Sequence, residues 1–168
     1  FDGGSANDTL HAMATASTTF NFAQTSLTNI ETVAHNGAGN VTYIFGSTTS
    51  LPTIQGTAAN DFLSFSAATA GVSVNVNDAK FTSIDQFIGS AQNDAFNWSG
   101  SGTQPNLDGG AGTDTLRLMG TGTVNANTAI TSIEVFVGAS GNDTFNFTGT
   151  TAASINGGLG GDVVNFNS

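Results

Sequence analysis

The chain has 168 residues, only 8% of them charged, and its 12 acidic residues stand against two cations, Lys80 and Arg117, for a formal charge of −10. Phosphate backbones and anionic lipid surfaces need a basic protein face, so nucleic acid and membrane surfaces are excluded as partners, and no run of about 20 apolar residues is present to cross a bilayer. Thirteen Phe and 38% apolar residues set the chain apart from disordered sequences, and the absence of Cys removes disulfides, thiolate metal sites and thiol catalysis.

Read from the N-terminus, the chain repeats itself. Its first unit, Phe1-Asp-Gly-Gly-Ser-Ala-Asn-Asp-Thr-Leu10, returns at Ile54–Leu63, Leu107–Leu116 and Ile155–Val164. A second unit is interleaved as Leu27-Thr-Asn-Ile-Glu31, Phe81-Thr-Ser-Ile-Asp85 and Ile130-Thr-Ser-Ile-Glu134. Each second unit leads into a Gly/Asn turn, at 35–40, 89–94 and 138–143. The organisation is therefore three repeats, 1–53, 54–106 and 107–154, with a partial fourth at 155–168, forming one segment. Because it opens inside a repeat, the segment is expected to be part of a longer chain.

After each turn the apolar residues alternate: Tyr43/Phe45, Leu63/Phe65, Phe96/Trp98, Leu116/Leu118, Phe145/Phe147 and Val164/Phe166. Period two with Gly-rich boundaries predicts half-buried strands, and nothing has helical periodicity. The turns end at Asp8, Val41, Asp61, Asp94, Asp114, Asp143 and Asp162, alternately about 33 and 20 residues apart. One coil per interval gives an all-β parallel β-helix or β-roll solenoid of about six coils, with the aromatic residues as an internal ladder. An antiparallel sandwich is the competing fold.

The turns carry the chemistry. The nonapeptide Gly-Gly-x-Gly-x-Asp-x-apolar-x is complete at Gly109, Gly110, Gly112 and Asp114, and again at Gly157, Gly158, Gly160 and Asp162. It carries one change around Asp8 and Asp143, and is degraded around Asp61 and Asp94. Glycine permits the positive φ that turns carbonyls inward, and aspartate adds a charged oxygen, which suits Ca²⁺ with its six to eight oxygen ligands. These twelve residues are the candidate metal ligands, with Ca²⁺ the expected cofactor. The plainer reading is that Gly, Asn and Asp end strands for conformational reasons alone. Against it, carboxylates stacked about 5 Å apart repel by about 1 kcal/mol per pair even in a water-like medium.

At these residues the chain resembles the RTX, or haemolysin-type, calcium-binding repeat proteins, within large secreted bacterial adhesin or S-layer-like β-solenoid exoproteins. The resemblance implies calcium held between stacked turns, a place outside the cell or on the bacterial surface, and a structural or adhesive role. It implies as partners like segments end to end, flanking domains, or surface glycans. The chain departs from that family in spacing, since its motifs lie 19 to 33 residues apart rather than in tandem.

Catalysis is not expected. A β-helical carbohydrate enzyme, the alternative function, needs a unique base and an electrophilic stabiliser, whereas the acids here recur with the repeat. Glu31, Asp85 and Glu134 read as a solvated face, His11 and His35 as surface residues, and Tyr43 and Trp98 as core. The glycosylation sequons at Asn7, Asn40, Asn97, Asn142 and Asn146 read as chance matches in an Asn/Thr-rich chain.

Overall fold

The computed structural model describes residues 1–149 and 154–167. The chain winds as a parallel β-solenoid of about seven coils with three sheet-bearing faces. The first two coils carry β1 (Thr9–Ala12) and β2 (Thr18–Asn21), then β3 (Thr32–His35) and β4 (Val41–Ile44). Next come β5 (Thr53–Gln55), β6 (Asp61–Ser64) and β7 (Ser73–Asn75), followed by β8 (Phe81–Thr82), β9 (Gln86–Ile88) and β10 (Ala95–Trp98). A fifth and a sixth coil hold β11 (Asn106–Asp108), β12 (Thr115–Leu118) and β13 (Thr123–Ala126), then β14 (Ile130–Thr131), β15 (Val135–Val137) and β16 (Thr144–Thr148). The described chain closes with β17 (Ser154–Asn156) and β18 (Val163–Asn167).

The first face stacks β1, β3, β5 and β8; the second stacks β2, β4, β6, β9, β11 and β14; the third stacks β7, β10, β12, β15 and β17. After β8 the first face is interrupted at 99–105 and resumes with β13, β16 and β18. At the break, the Gln104 side chain stands in for a strand edge. Its Nε2 donates to the Asn125 carbonyl at 2.8 Å, and its Oε1 accepts from the Asn125 N–H at 2.7 Å. All the strand ladders are parallel, which removes the sandwich.

Alternation does what the sequence demands. Phe65, Phe96, Phe145, Phe147, Leu63 and Leu116 point inward and are buried, as are Tyr43 and Trp98. The ladder of rings is present: Phe22 lies 5.3 Å from Phe45 and Phe147 lies 5.4 Å from Phe166, centroid to centroid. Each such side chain contributes about 1.5–3 kcal/mol on burial. The Tyr43 hydroxyl and the Trp98 Nε1–H are buried without partners, a polar cost inside an apolar lumen.

Coil length corrects the sequence reading. Facing residues lie between 19 residues apart, as Val135 and Ser154, and 27, as Ile54 and Phe81. The intervals of about 33 residues are therefore not coils; each is one coil plus one face. A whole 53-residue repeat advances two coils and one face. Asp8 thus stands at the head of a first-face strand, Asp61 on the second face, Asp114 on the third, and Asp162 on the first again.

Candidate functional site

Strand pairing brings the acids together in columns, just ahead of the strands. In every link, the backbone N–H of one coil donates to a carboxylate of the next. Asp8 N–H donates to Glu31 Oε2 at 2.8 Å on the first face. On the second, Val41 N–H donates to Asp61 Oδ1 at 2.9 Å and Asp61 N–H to Asp85 Oδ2 at 2.8 Å. On the third, Val72, Asp94 and Asp114 N–H donate to Asp94 Oδ1, Asp114 Oδ1 and Glu134 Oε2, at 2.7, 2.7 and 2.8 Å. Where the first face resumes, Gly122 and Asp143 N–H donate to Asp143 and Asp162 Oδ1 at 2.8 and 2.9 Å. Charge-assisted bonds of this kind are worth about 1.5–3 kcal/mol each.

Glu31, Asp85 and Glu134 are therefore more than a solvated face. Each closes a reciprocal clamp: Asp85 N–H, for example, returns a bond to the Asp61 carbonyl at 2.8 Å. The residue two before each of these acids, Asn29, Ser83 or Ser132, adopts positive φ of 51–53°. Its carbonyl lies over the α-carbon of Gly3, Gly56 or Gly109 one coil earlier, in space that a Cβ would occupy. The two interleaved sequence units are the two halves of one inter-coil contact. Their fixed offset was the signal for it.

The turns divide into two kinds. In Gly56-Thr57, Gly89-Ser90 and Gly138-Ala139, the second residue's N–H points inward to the Asp. Thr57 reaches Asp61 Oδ2 at 2.6 Å, Ser90 reaches Asp94 Oδ2 at 2.5 Å, and Ala139 reaches Asp143 Oδ2 at 2.8 Å. In the Gly-Gly turns the second glycine sits at φ 92–105° and its N–H turns away. Gly4, Gly110 and Gly158 donate to Asp2, Asp108 and Asn156 instead, at 3.0–3.2 Å. As a result Asp114 Oδ2 and Asp8 Oδ2 are buried with no partner. Asp114 is fully buried. Its burial, and then the charges of Asp94, Glu134 and Asp108, push its carboxyl up to about 6, against a bond from the Asp94 N–H that pulls it down.

One turn departs from the pattern: it is one residue longer than the others, and its first and last residues both change. A Cβ on Gly56, Gly109 or Gly138 would lie 2.6–2.7 Å from the carboxylate of its own turn. In the turn at 35–41 that carboxylate is replaced by Val41, and the glycine position holds His35. His35 is buried, not a surface residue. Its Nδ1 lies 3.1 Å from Asp61 Oδ1 and its Nε2 lies 3.4 Å from the Ala14 carbonyl. His11 is exposed and contacts Asn36 Nδ2 at 2.7 Å.

The fit to calcium differs between the two turn kinds. Asp61, Asp94 and Asp143 already accept a backbone N–H on each oxygen. Asp114 Oδ2 and Asp8 Oδ2 accept no hydrogen bond and are the oxygens a cation would have to use. Gly109, Gly110 and Gly112 shape the turn around Asp114, and Gly157, Gly158 and Gly160 that around the half-buried Asp162. Among the described residues no group of three or more His, Cys, Asp or Glu side chains is arranged to hold a metal. An ion at these turns would draw its remaining ligands from backbone carbonyls and water. No family model matches the chain, and no curated protein or solved structure matches it either.

Proposed function

We propose that the chain is an extracellular structural and adhesive repeat segment, a non-catalytic rod of the bacterial cell surface, stabilised by calcium at its Gly-Gly turns in the manner of the haemolysin-type repeats it resembles. The observation that carries this reading is the fully buried Asp114 oxygen, left without a donor beside three further carboxylates. A divalent cation relieves that repulsion and supplies the missing partner. The non-catalytic reading draws support from the few side chains suited to acid–base work. His35 is committed to Asp61, and Lys80 Nζ lies 3.5 Å from the Leu51 carbonyl. Like segments, flanking domains or surface glycans are the partners this role implies.

Thermal melting in excess calcium and in excess EGTA tests the reading. Calcium at a hundredfold over its dissociation constant adds about 2.7 kcal/mol. Asp114→Ala is expected to reduce that gain, and Asp94→Ala to lower stability while keeping it. Melting curves that coincide with and without calcium overturn the calcium reading.

A further inference from the structure

Only two of the chain's Asn residues precede Gly, at Asn36-Gly37 and Asn156-Gly157. Glycine carries no side chain to keep the preceding Asn side chain off its backbone nitrogen, so these are the places where the two groups meet most readily. The fold treats them differently. Asn156 Oδ1 accepts the Gly158 N–H at 3.0 Å, in the place that Asp2 and Asp108 fill in the equivalent turns. Asn36 is exposed, in the turn that is one residue longer than the others. Among the described residues nothing accepts from the Gly37 N–H. Asn36 Nδ2 lies 2.7 Å from His11 Nδ1, one coil earlier. A Cβ on Gly37 would run into the Ala14 carbonyl oxygen, so packing keeps an unshielded backbone nitrogen beside this amide.

The contact with His11 can serve a reaction. An amide NH₂ only donates, so the ring nitrogen accepts in the resting chain. The direction reverses once the side-chain carbon becomes tetrahedral. When the Gly37 nitrogen loses its proton to water and adds to Asn36 Cγ, Nδ2 loses its amide resonance and becomes a basic amine. A His11 ring protonated at Nδ1 then donates to it. The Cγ–Nδ2 bond breaks, ammonia leaves carrying that proton, and His11 is left neutral. A five-membered succinimide now joins residues 36 and 37. Water opens it at one carbonyl to give aspartate, or at the other to give isoaspartate, with the main chain running through the side-chain carbon. Nothing is oxidised or reduced, and water is the one co-reactant.

From this we infer that Asn36-Gly37 is a self-modification site, at which His11 acts as general acid for the departing ammonia and the asparagine becomes aspartate or isoaspartate. The step adds one negative charge to the formal −10. It also replaces a hydrogen bond between the first two coils by an ion pair with His11. The inference is independent of calcium and of the structural role proposed above.

The full chain, held at neutral pH and 37 °C for about a week and sampled daily, tests it. Trypsin cleaves the denatured samples after Lys80 and Arg117, which puts Asn36 and Asn156 in different peptides. The expected result is a one-dalton gain in the peptide of residues 1–80, placed at residue 36 by fragmentation and absent there in Asn36→Gln. His11→Ala slows the gain by about tenfold, short of the usual ~10²–10⁴-fold for a positioned acid because water at this exposed turn also supplies protons. Added imidazole restores the rate in that variant, and the rate at Asn156 stays as in the wild type. An Asn36 still intact at the end of the week overturns the inference, as does a rate at Asn36 that His11→Ala leaves unchanged. A loss that imidazole fails to restore overturns the acid role of His11, and so does an equal loss at Asn156.

Discussion

The same substitution at the same repeat position is expected to have opposite effects, depending on the turn. At Asp143 both carboxylate oxygens accept a backbone N–H, from Gly122 and Ala139, at 2.8 Å each. Asp143→Asn puts an amide NH₂ against one of those donors, so a charge-assisted bond is lost and a buried N–H goes unpaired. The expected loss is about 2–4 kcal/mol. At Asp114 only Oδ1 is engaged, by the Asp94 N–H at 2.7 Å, and Asp114→Asn retains that acceptor. It also removes a charge that the fold disfavours. The carboxyl rises from the usual 3.8 to about 6, which at full weight corresponds to about 3 kcal/mol. Screening at the turn and the unpaired amide hydrogens of the new Asn reduce the net gain to about 1 kcal/mol. The folded chain holds this proton more tightly than the unfolded one. The burden of Asp114 is therefore absent below about pH 4, grows between about 4 and 6, and is complete above that. Urea denaturation in EGTA, followed by Trp98 fluorescence, measures both variants at pH 7.5 and near pH 4. Asp114→Asn is stabilising at the higher pH and close to neutral at the lower one. Equal losses in the two variants would refute the division of the turns.

Two further outcomes follow from the same geometry. Phe145→Ala is expected to cost about 3–5 kcal/mol in urea denaturation, whereas Asn146→Ala, one residue away on the outer face, costs under 1 kcal/mol beyond its exposed bonds to Asn125 and Asn165; equal costs would break the strand register. Val41→Asp and His35→Gly are each destabilising alone, since the first crowds a carboxylate against the His35 Cβ and the second empties a buried site. Together they remove the crowding in a turn that stays one residue longer than the others, so a double-mutant cycle gives a favourable coupling of about 1–3 kcal/mol, and additive losses would count against the steric explanation.

The local pattern of the chain determined most of the fold. Alternation at Phe145, Asn146 and Phe147 fixes a strand with one buried face, because successive side chains point to opposite sides of the backbone. Recurrence of the turns fixes stacking, because identical strands bury their apolar faces best on copies of themselves. The pitch was hidden. A coil closes when the backbone has turned through three faces, and no residue marks that point in an interval of 33 that is one coil and a third. Only the strand register separates repeat length from coil length, and so only the tertiary structure carries Asp8, Asp61, Asp114 and Asp162 from face to face. It also decided what the acids do. Glu31, Asp85 and Glu134 look like isolated surface charges until the next coil brings the N–H groups of Asp8, Asp61 and Asp114 within 2.8 Å. His35 in place of glycine and Val41 in place of aspartate are one compensated change, visible only once a turn's first and last residues are seen to share the same few cubic ångströms.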